Sequence, residues 1–177
     1  MKNLKIKMLV ATFLMVVAFA AQAQAPYRHG IGVTAGTLDA ASYKTFFSDH
    51  LALQADLGYK YILTAGENNV RNFAVQSIEL NPNIMYEKDI TKGFYLFGGG
   101  GISLGYSWIY DLTWSAYTKY NFGKFGINAI AGGEYKFEKI PLALQIDFRP
   151  GYGLLFTKQP AWNYFDWSVC ASARYTF

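Results

Sequence analysis

The sequence predicts an all-β chain folded as an eight-stranded antiparallel up-and-down β-barrel that crosses a membrane. Eight segments alternate apolar and polar residues with a period of two, the period of a strand with two unlike faces. Aromatic residues make up 18% of the chain and charged residues only 16%, and the rings gather at the ends of the apolar faces rather than at their middles. All eight segments follow an N-terminal stretch with the form of an export signal.

That stretch, residues 1–23, has a basic start (Lys2, Lys5, Lys7), an apolar run from Met8 to Ala20, and Ala21 and Ala23 in an A-x-A arrangement. Cleavage is expected after Ala23, with Ala25 as the second position, leaving residues 24–177 as the barrel domain. The apolar run is shorter than the about 20 residues a spanning helix needs, and no cysteine near the cleavage site marks a lipoprotein. Sixteen basic residues less the three signal lysines, against twelve acidic, leave the mature chain at +1. The pI near 9.0 therefore does not argue for nucleic acid. Cys170 is the only cysteine, so the chain has no internal disulfide.

The expected strands, in order, are 28–37, 41–48, 50–63, 73–87, 93–107, 123–138, 141–156 and 164–177. In the third, Leu51, Leu53, Ala55, Leu57, Tyr59 and Tyr61 oppose Ala52, Gln54, Asp56, Gly58 and Lys60. The fourth loses its phase near Gln76 and Ser77, where a bulge or the membrane boundary is expected. In the sixth, Phe125, Ile127, Ala129, Ala131, Tyr135 and Phe137 oppose Lys124, Asn128, Glu134 and Lys136; in the seventh, Leu142, Leu144, Ile146 and Phe148 oppose Gln145, Asp147 and Arg149. The eighth places Phe165 and Trp167 at one end of its apolar face and Tyr175 and Phe177 at the other, with Val169, Ala171 and Ala173 between. A soluble barrel with an apolar interior needs bulk at that middle, whereas a bilayer gathers rings at its two interfaces. The apolar face is therefore expected to point outward.

The polar face then lines the lumen. Its charged members are Arg28, Lys44, Lys60, Lys124, Lys136, Arg149 and Arg174 against Asp56, Glu79, Glu134, Asp147 and Asp166, which predicts a network of paired charges. Eight strands leave an interior just wide enough for side chains, so a plug is expected rather than a pore. The connections TLDAA, TAGENNVRN, SWIYDLTWSAYTKYN and TKQPAWN alternate with the shorter SDH, KDITK and EKIP. Short turns on the periplasmic side, with both chain ends, and longer loops outside are the outer-membrane arrangement.

A terminal Phe177 with Tyr175 two residues before it resembles the C-terminal signal read by the outer-membrane assembly machinery. The mature chain resembles the small OmpX-like and OmpA-like barrels, and GGEYKFEKIPLALQIDFRPGY is similar in style to barrels of Bacteroidetes. The resemblance implies Sec export, an outer-membrane address, outer-membrane lipid and lipopolysaccharide as surroundings, and the assembly machinery as a partner. It does not choose among the family's adhesins, host-defence factors, anchors and lipid-modifying enzymes.

The residues narrow that choice. Barrel lipid A deacylases and palmitoyltransferases resemble one another in pairing a histidine with a serine and a carboxylate near the outer leaflet. Here His29 begins the first strand and His50 sits in a short turn, both at the wrong end and expected to be interfacial or solvated. Two separated histidines and one cysteine make no metal cluster, and the lumen acids alternate with bases instead of pairing with each other. Gly98–Gly101 lacks the lysine and serine of a phosphate loop and is expected to permit bending or close side-chain approach. No catalysis and no cofactor are expected, and the role is structural or one of surface interaction; a lipid-modifying enzyme and a narrow channel are the alternatives. Binding of host or surface ligands is expected in residues 107–121, read as the longest external loop and carrying Trp108, Tyr110, Trp114, Tyr117 and Tyr120, with Trp162 and Tyr164 from the next loop. The competing reading of those rings is an aromatic girdle on strands that protrude past the membrane.

Overall fold

The computed structural model describes residues 25–64, 73–111, 119–156 and 162–177. They form β1 (His29–Gly36), β2 (Leu38–Phe46), β3 (Leu51–Thr64), β4 (Phe73–Thr91), β5 (Phe94–Asp111), β6 (Lys119–Lys136), β7 (Leu142–Phe156) and β8 (Trp162–Thr176). Each strand pairs with its chain neighbours, and β1 pairs antiparallel with β8 from Gly30↔Thr176 to Gly36↔Cys170, which closes the barrel.

The side-chain distribution is that of a soluble protein turned inside out. Outward residues are apolar and exposed, with Val33 at 62%, Ile146 at 67% and Phe165 at 70%, while the inward Lys44, Gln54, Asp56, Glu134 and Arg174 are fully buried. Because the period is two, one assignment of faces sets every residue of a strand.

The expected strands are all present, with several boundaries corrected. β2 begins at Leu38, so TLDAA is not a loop but a turn centred on Thr37. Gly36 takes a positive φ of 142° there, Gly36 N donates to Asp39 Oδ1 (3.2 Å), and Val169 N donates to Thr37 Oγ1 (2.8 Å), tying the turn to β8. The expected phase loss near Gln76 and Ser77 is absent: the register runs unbroken through both residues on β3 and β5. Gln76 is polar on the outward face because it accepts a hydrogen bond from Trp108 Nε1 at 2.6 Å. The irregularity falls instead between Asp89 and Thr91, before a turn in which Gly93 has φ 78°.

β5 and β6 extend to Asp111 and back to Lys119, paired as far as Tyr110↔Lys119, so most of residues 107–121 is strand and not loop. Prolines mark local gaps in the ladder: Pro82 pairs toward β3 but not β5, and Pro150 toward β8 but not β6, as expected of a residue without an N–H. Within Gly98–Gly101 the inward Gly101 serves close approach, since a Cβ there would stand 2.6 Å from Asn83 Oδ1.

The outward face of β8 supplies a test. Val169 lies at mid-strand with 48% exposure, so Val169→Arg should lower stability in lipid vesicles by about 2–4 kcal/mol. Equal urea midpoints for the variant and the parent would show that this face does not meet hydrocarbon.

Candidate functional site

The distinctive feature is the lumen, a column of paired charges supplied by β2, β3, β4, β6, β7 and β8. The start of β1 and the end of β8 lie at one rim, called here the terminal rim; the opposite one is the loop rim.

Beneath the terminal rim lies an apolar layer of Phe46, Ala52, Met85, Phe97 and Ile130. Lys44 Nζ lies against it, 5.2 Å from the Phe46 ring centre and 5.4 Å from that of Phe97. Lys44 bonds Glu87 Oε2 at 2.6 Å and Glu134 Oε2 at 2.9 Å, and Arg174 Nη1 approaches Glu134 Oε2 at 3.4 Å. Arg174 also donates to Ser42 Oγ (3.0 Å) and Gln145 Oε1 (2.8 Å).

Gln145 Nε2 links this group to the next, reaching Gln54 Oε1 at 3.1 Å and Asp147 Oδ2 at 2.7 Å. There Arg149 pairs with Asp56 through Nη1 (2.6 Å) and with Asp147 through Nε (2.5 Å). Asp56 further accepts from Thr34 Oγ1 and Gln54 Nε2. Asn83, Asn128 and Ser103 continue the polar fill across the lumen.

Toward the loop rim, Lys124 bonds Glu79 (2.6 Å) and Asp166 (2.8 Å), and Lys60 bonds Asp166 (2.9 Å) and Ser168 Oγ (2.9 Å). Tyr164 lies flat against the wall with its ring 4.7 Å from Lys124 Nζ. It fits because Gly153 is opposite, where a Cβ would come within 2.8 Å of Tyr164 Cε1.

Of the residues assigned to the polar face, the structure brings together Lys44, Asp56, Lys60, Glu79, Lys124, Glu134, Asp147, Arg149, Asp166 and Arg174. Arg28 and Lys136 stand apart. Arg28 is exposed, ahead of β1. Lys136, at the end of β6, donates to Phe137 O (2.6 Å) and Ile140 O (3.2 Å) in the adjoining turn. Lys136 has the inward parity of β6, whereas Arg28 precedes the strand and is exposed; at the rim a side chain has water or carbonyls within reach in place of a lumen partner. Glu87, the last residue of the expected fourth strand, is the member that sequence reading missed. Counting inward from Ser77 through Glu79, Asn81, Asn83 and Met85 reaches it directly.

The histidines need correction. His50 is buried rather than solvated: its Nδ1–H donates to Glu87 O (2.9 Å), Glu87 N donates to His50 O (2.8 Å), and its ring tilts against Tyr86. It pins the β2–β3 turn to β4. His29 faces outward, its Nδ1 3.0 Å from Tyr43 Oη, in a run of rings Tyr175–Phe177–His29–Tyr43 that crosses the β8–β1–β2 seam. Phe177 completes that seam, exchanging two 2.8 Å backbone bonds with His29.

The candidate recognition residues are dispersed. Trp108 is on the outward face against Tyr59 and Tyr106 (6.3 and 6.2 Å between ring centres), a girdle position. Tyr110 lies in β5, Tyr120 in β6 and Trp162 in β8; Trp114 and Tyr117 lie outside the described residues. Among the described residues no three His, Cys, Asp or Glu side chains are placed to hold a metal.

No protein-family model matches the chain, and no curated protein matches it. Similar solved structures include the following three. Neisserial surface protein A is 13% identical, with a TM-score of 0.55 over 84% of this chain and 93% of that one. The N-terminal β-barrel domain of Pseudomonas aeruginosa OprF is 14% identical, with a TM-score of 0.47 over 84% and 95%. Ail, the attachment invasion locus protein of Yersinia pestis, is 11% identical, with a TM-score of 0.42 over 82% and 93%. At 13% identity the likeness to the neisserial protein is one of fold.

The network sets a sharp contrast between two substitutions. Glu134→Ala strips a carboxylate from both Lys44 and Arg174 and should cost about 3–5 kcal/mol, since it leaves buried positive charge uncompensated. Arg28→Ala should stay within about 0.5 kcal/mol. Urea unfolding followed by heat-modifiable gel mobility measures both.

Proposed function

We propose that the protein is an integral outer-membrane barrel with a structural or cell-surface interaction role and no catalytic activity. The observation that carries this reading is the inversion of the barrel: an apolar outward belt encloses a lumen in which lysines, arginines and carboxylates neutralise one another. A charged side chain already committed to two short ion pairs is a poor general acid, base or nucleophile, and a lumen filled along its length offers no route for solutes.

The surroundings follow from the same inversion. Outer-membrane lipid and lipopolysaccharide cover the belt. A shallow apolar groove of about 570 Å³ on the outer wall, between Phe94, Leu96, Tyr135, Leu144 and Ile146 over the small Gly133 and Ala131, suits an acyl chain. The assembly machinery is the partner proposed for Tyr175 and Phe177 during biogenesis. Host or surface ligands are assigned to the connections at the loop rim, with Trp114 and Tyr117 as contact residues and Trp108 as part of the girdle.

Two measurements test this. Reconstituted protein in planar bilayers should show no steady conductance of porin size; large, reproducible single-channel steps would overturn the filled lumen. On whole cells, Trp114→Ser with Tyr117→Ser should reduce attachment to host cells, matrix or glycans without altering heat-modifiable mobility. Trp108→Ser should instead lower barrel stability, because it removes the Gln76 hydrogen bond and the Tyr59 and Tyr106 contacts. Attachment unchanged by the double substitution would end the recognition role of that loop.

A further inference from the structure

The groove of about 570 Å³ on the outer wall has a place and a direction that the rest of the apolar belt lacks. Strand pairing lays its lining out in three rows across β5, β6 and β7: Phe94–Tyr135–Leu144 at the terminal rim, Leu96–Gly133–Ile146 next, and Gly98–Ala131–Phe148 deepest. Below Tyr135 the middle column is glycine and alanine between large neighbours, and that difference in bulk makes a trough. The Phe94 ring leans over its floor, where a Cβ on Gly133 would stand 3.2 Å from Phe94 Cζ. Asp147 also borders the groove, but its carboxylate is held by Arg149 and Gln145 in the lumen.

The length of the trough assigns it to one leaflet. Tyr135 to Ala131 is four steps along a strand, roughly 13 Å at about 3.3 Å per residue and roughly 9 Å of depth at a tilt of about 45°. Half of an apolar slab about 30 Å thick is deeper than that, so a groove that opens at the terminal rim ends before the midplane. A lipid whose headgroup sits at the loop rim does not reach it.

The mouth is cationic. Lys88 pairs with Leu96, so it shares the outward face of the groove wall, and it is exposed. Lys92 and Lys139 are exposed in the β4–β5 and β6–β7 turns, which are joined where Lys136 N donates to Gly93 O (2.7 Å). With Lys136, four lysines face two acids here, Asp89 and Glu138, and Asp89 pairs with Tyr95 on the inward parity of β4 and β5. A lysine on the outward face beside an apolar trough buries its stem and carries its ammonium to the interface, where lipid phosphates lie.

We propose that this groove is a binding site for an anionic phospholipid of the leaflet at the terminal rim, one acyl chain lying over Gly133 and Ala131 and the phosphate held by Lys88. The site rests on the reading of the outward face as lipid-covered and names the lipid that one part of it selects.

Native mass spectrometry of the folded barrel, titrated in detergent with phosphatidylglycerol or phosphatidylcholine, tests it. The first phosphatidylglycerol should be retained about fivefold more strongly than phosphatidylcholine, the effect of about one lysine near an anionic headgroup. Lys88→Gln should erase that preference and leave phosphatidylcholine binding as it is. Ala131→Phe, which fills the trough, should weaken the first lipid of either kind about tenfold, the equivalent of losing about two buried methylenes. Val33→Phe, on the outward face of β1, is the control and should change neither. If Ala131→Phe lacks folded gel mobility, the Lys88→Gln comparison decides. Equal retention of the two lipids, or retention indifferent to Lys88→Gln and Ala131→Phe, would remove the site. Lipid A preferred to phosphatidylglycerol and lost with the same substitutions would give the groove to the other leaflet and overturn the assignment. A disulfide formed in high yield between copies carrying Ala131→Cys and Cys170→Ser would give it to a second barrel, with the same result. A protein that inserts into vesicles of neither lipid would instead sink the membrane reading itself, and this site with it.

Discussion

In lipid an unpaired backbone N–H or C=O costs several kcal/mol, so the seam where β1 meets β8 is the interaction on which the rest of this structure depends. The two strands come from opposite ends of the chain, and their register from Gly30↔Thr176 to Gly36↔Cys170 converts a sheet with two open edges into a ring with none. The side chains around the seam serve that closure. Phe177 and His29 exchange the last pair of backbone bonds, the Thr37 turn is bonded to Val169, and a row of rings from Tyr175 to Tyr43 lies across the join on the outside.

Closure creates an inside, and the inside has to be filled. With eight strands the interior holds side chains only, and this chain fills it with charge rather than hydrocarbon. A buried ion is tolerable when its partners are close and its remaining lone pairs and protons are bonded. The three groups meet that condition to different degrees. Arg149 is held by two aspartates, and Asp56 is further bonded by Thr34 and Gln54. The group at the loop rim shares Asp166 between two lysines. The group at the terminal rim is balanced in charge but leaves donors and acceptors over, and it is also the one covered by a segment outside the sheet.

Lumen width is set by what is missing as much as by what is present. Gly101 and Gly153 on β5 and β7 lie where Asn83 and Tyr164 come closest to the wall, and a methyl group at either would collide. A long side chain can lie along the wall of so narrow a ring only where the residue paired with it on the next strand is small. That requirement ties glycine placement in one set of strands to charge placement in another.

The alternation by itself determined the strand count, the inward and outward faces, and most members of the lumen network, because a period of two assigns every residue of a strand once one is assigned. It also put Arg28 and Lys136 in the lumen, but Arg28 is exposed ahead of β1 and only Lys136 lies on the inward face of a strand. What it could not determine was depth: a face assignment does not say whether a charge sits in the column or at the rim, and only the register across the closed ring separates Lys44 from Lys136. The same holds for residues 107–121, whose aromatic content reads equally as loop or as girdle until pairing with β4 and β6 places Trp108 on the outer wall. Glu87 was the last residue of the expected fourth strand, where a linear pattern does not separate a lumen charge from a charge of the adjoining turn KDITK. Partners of this kind are chosen by closure, which brings together Lys44, Glu87, Glu134 and Arg174 from four strands, and a linear pattern carries no term for contacts between residues so far apart along the chain.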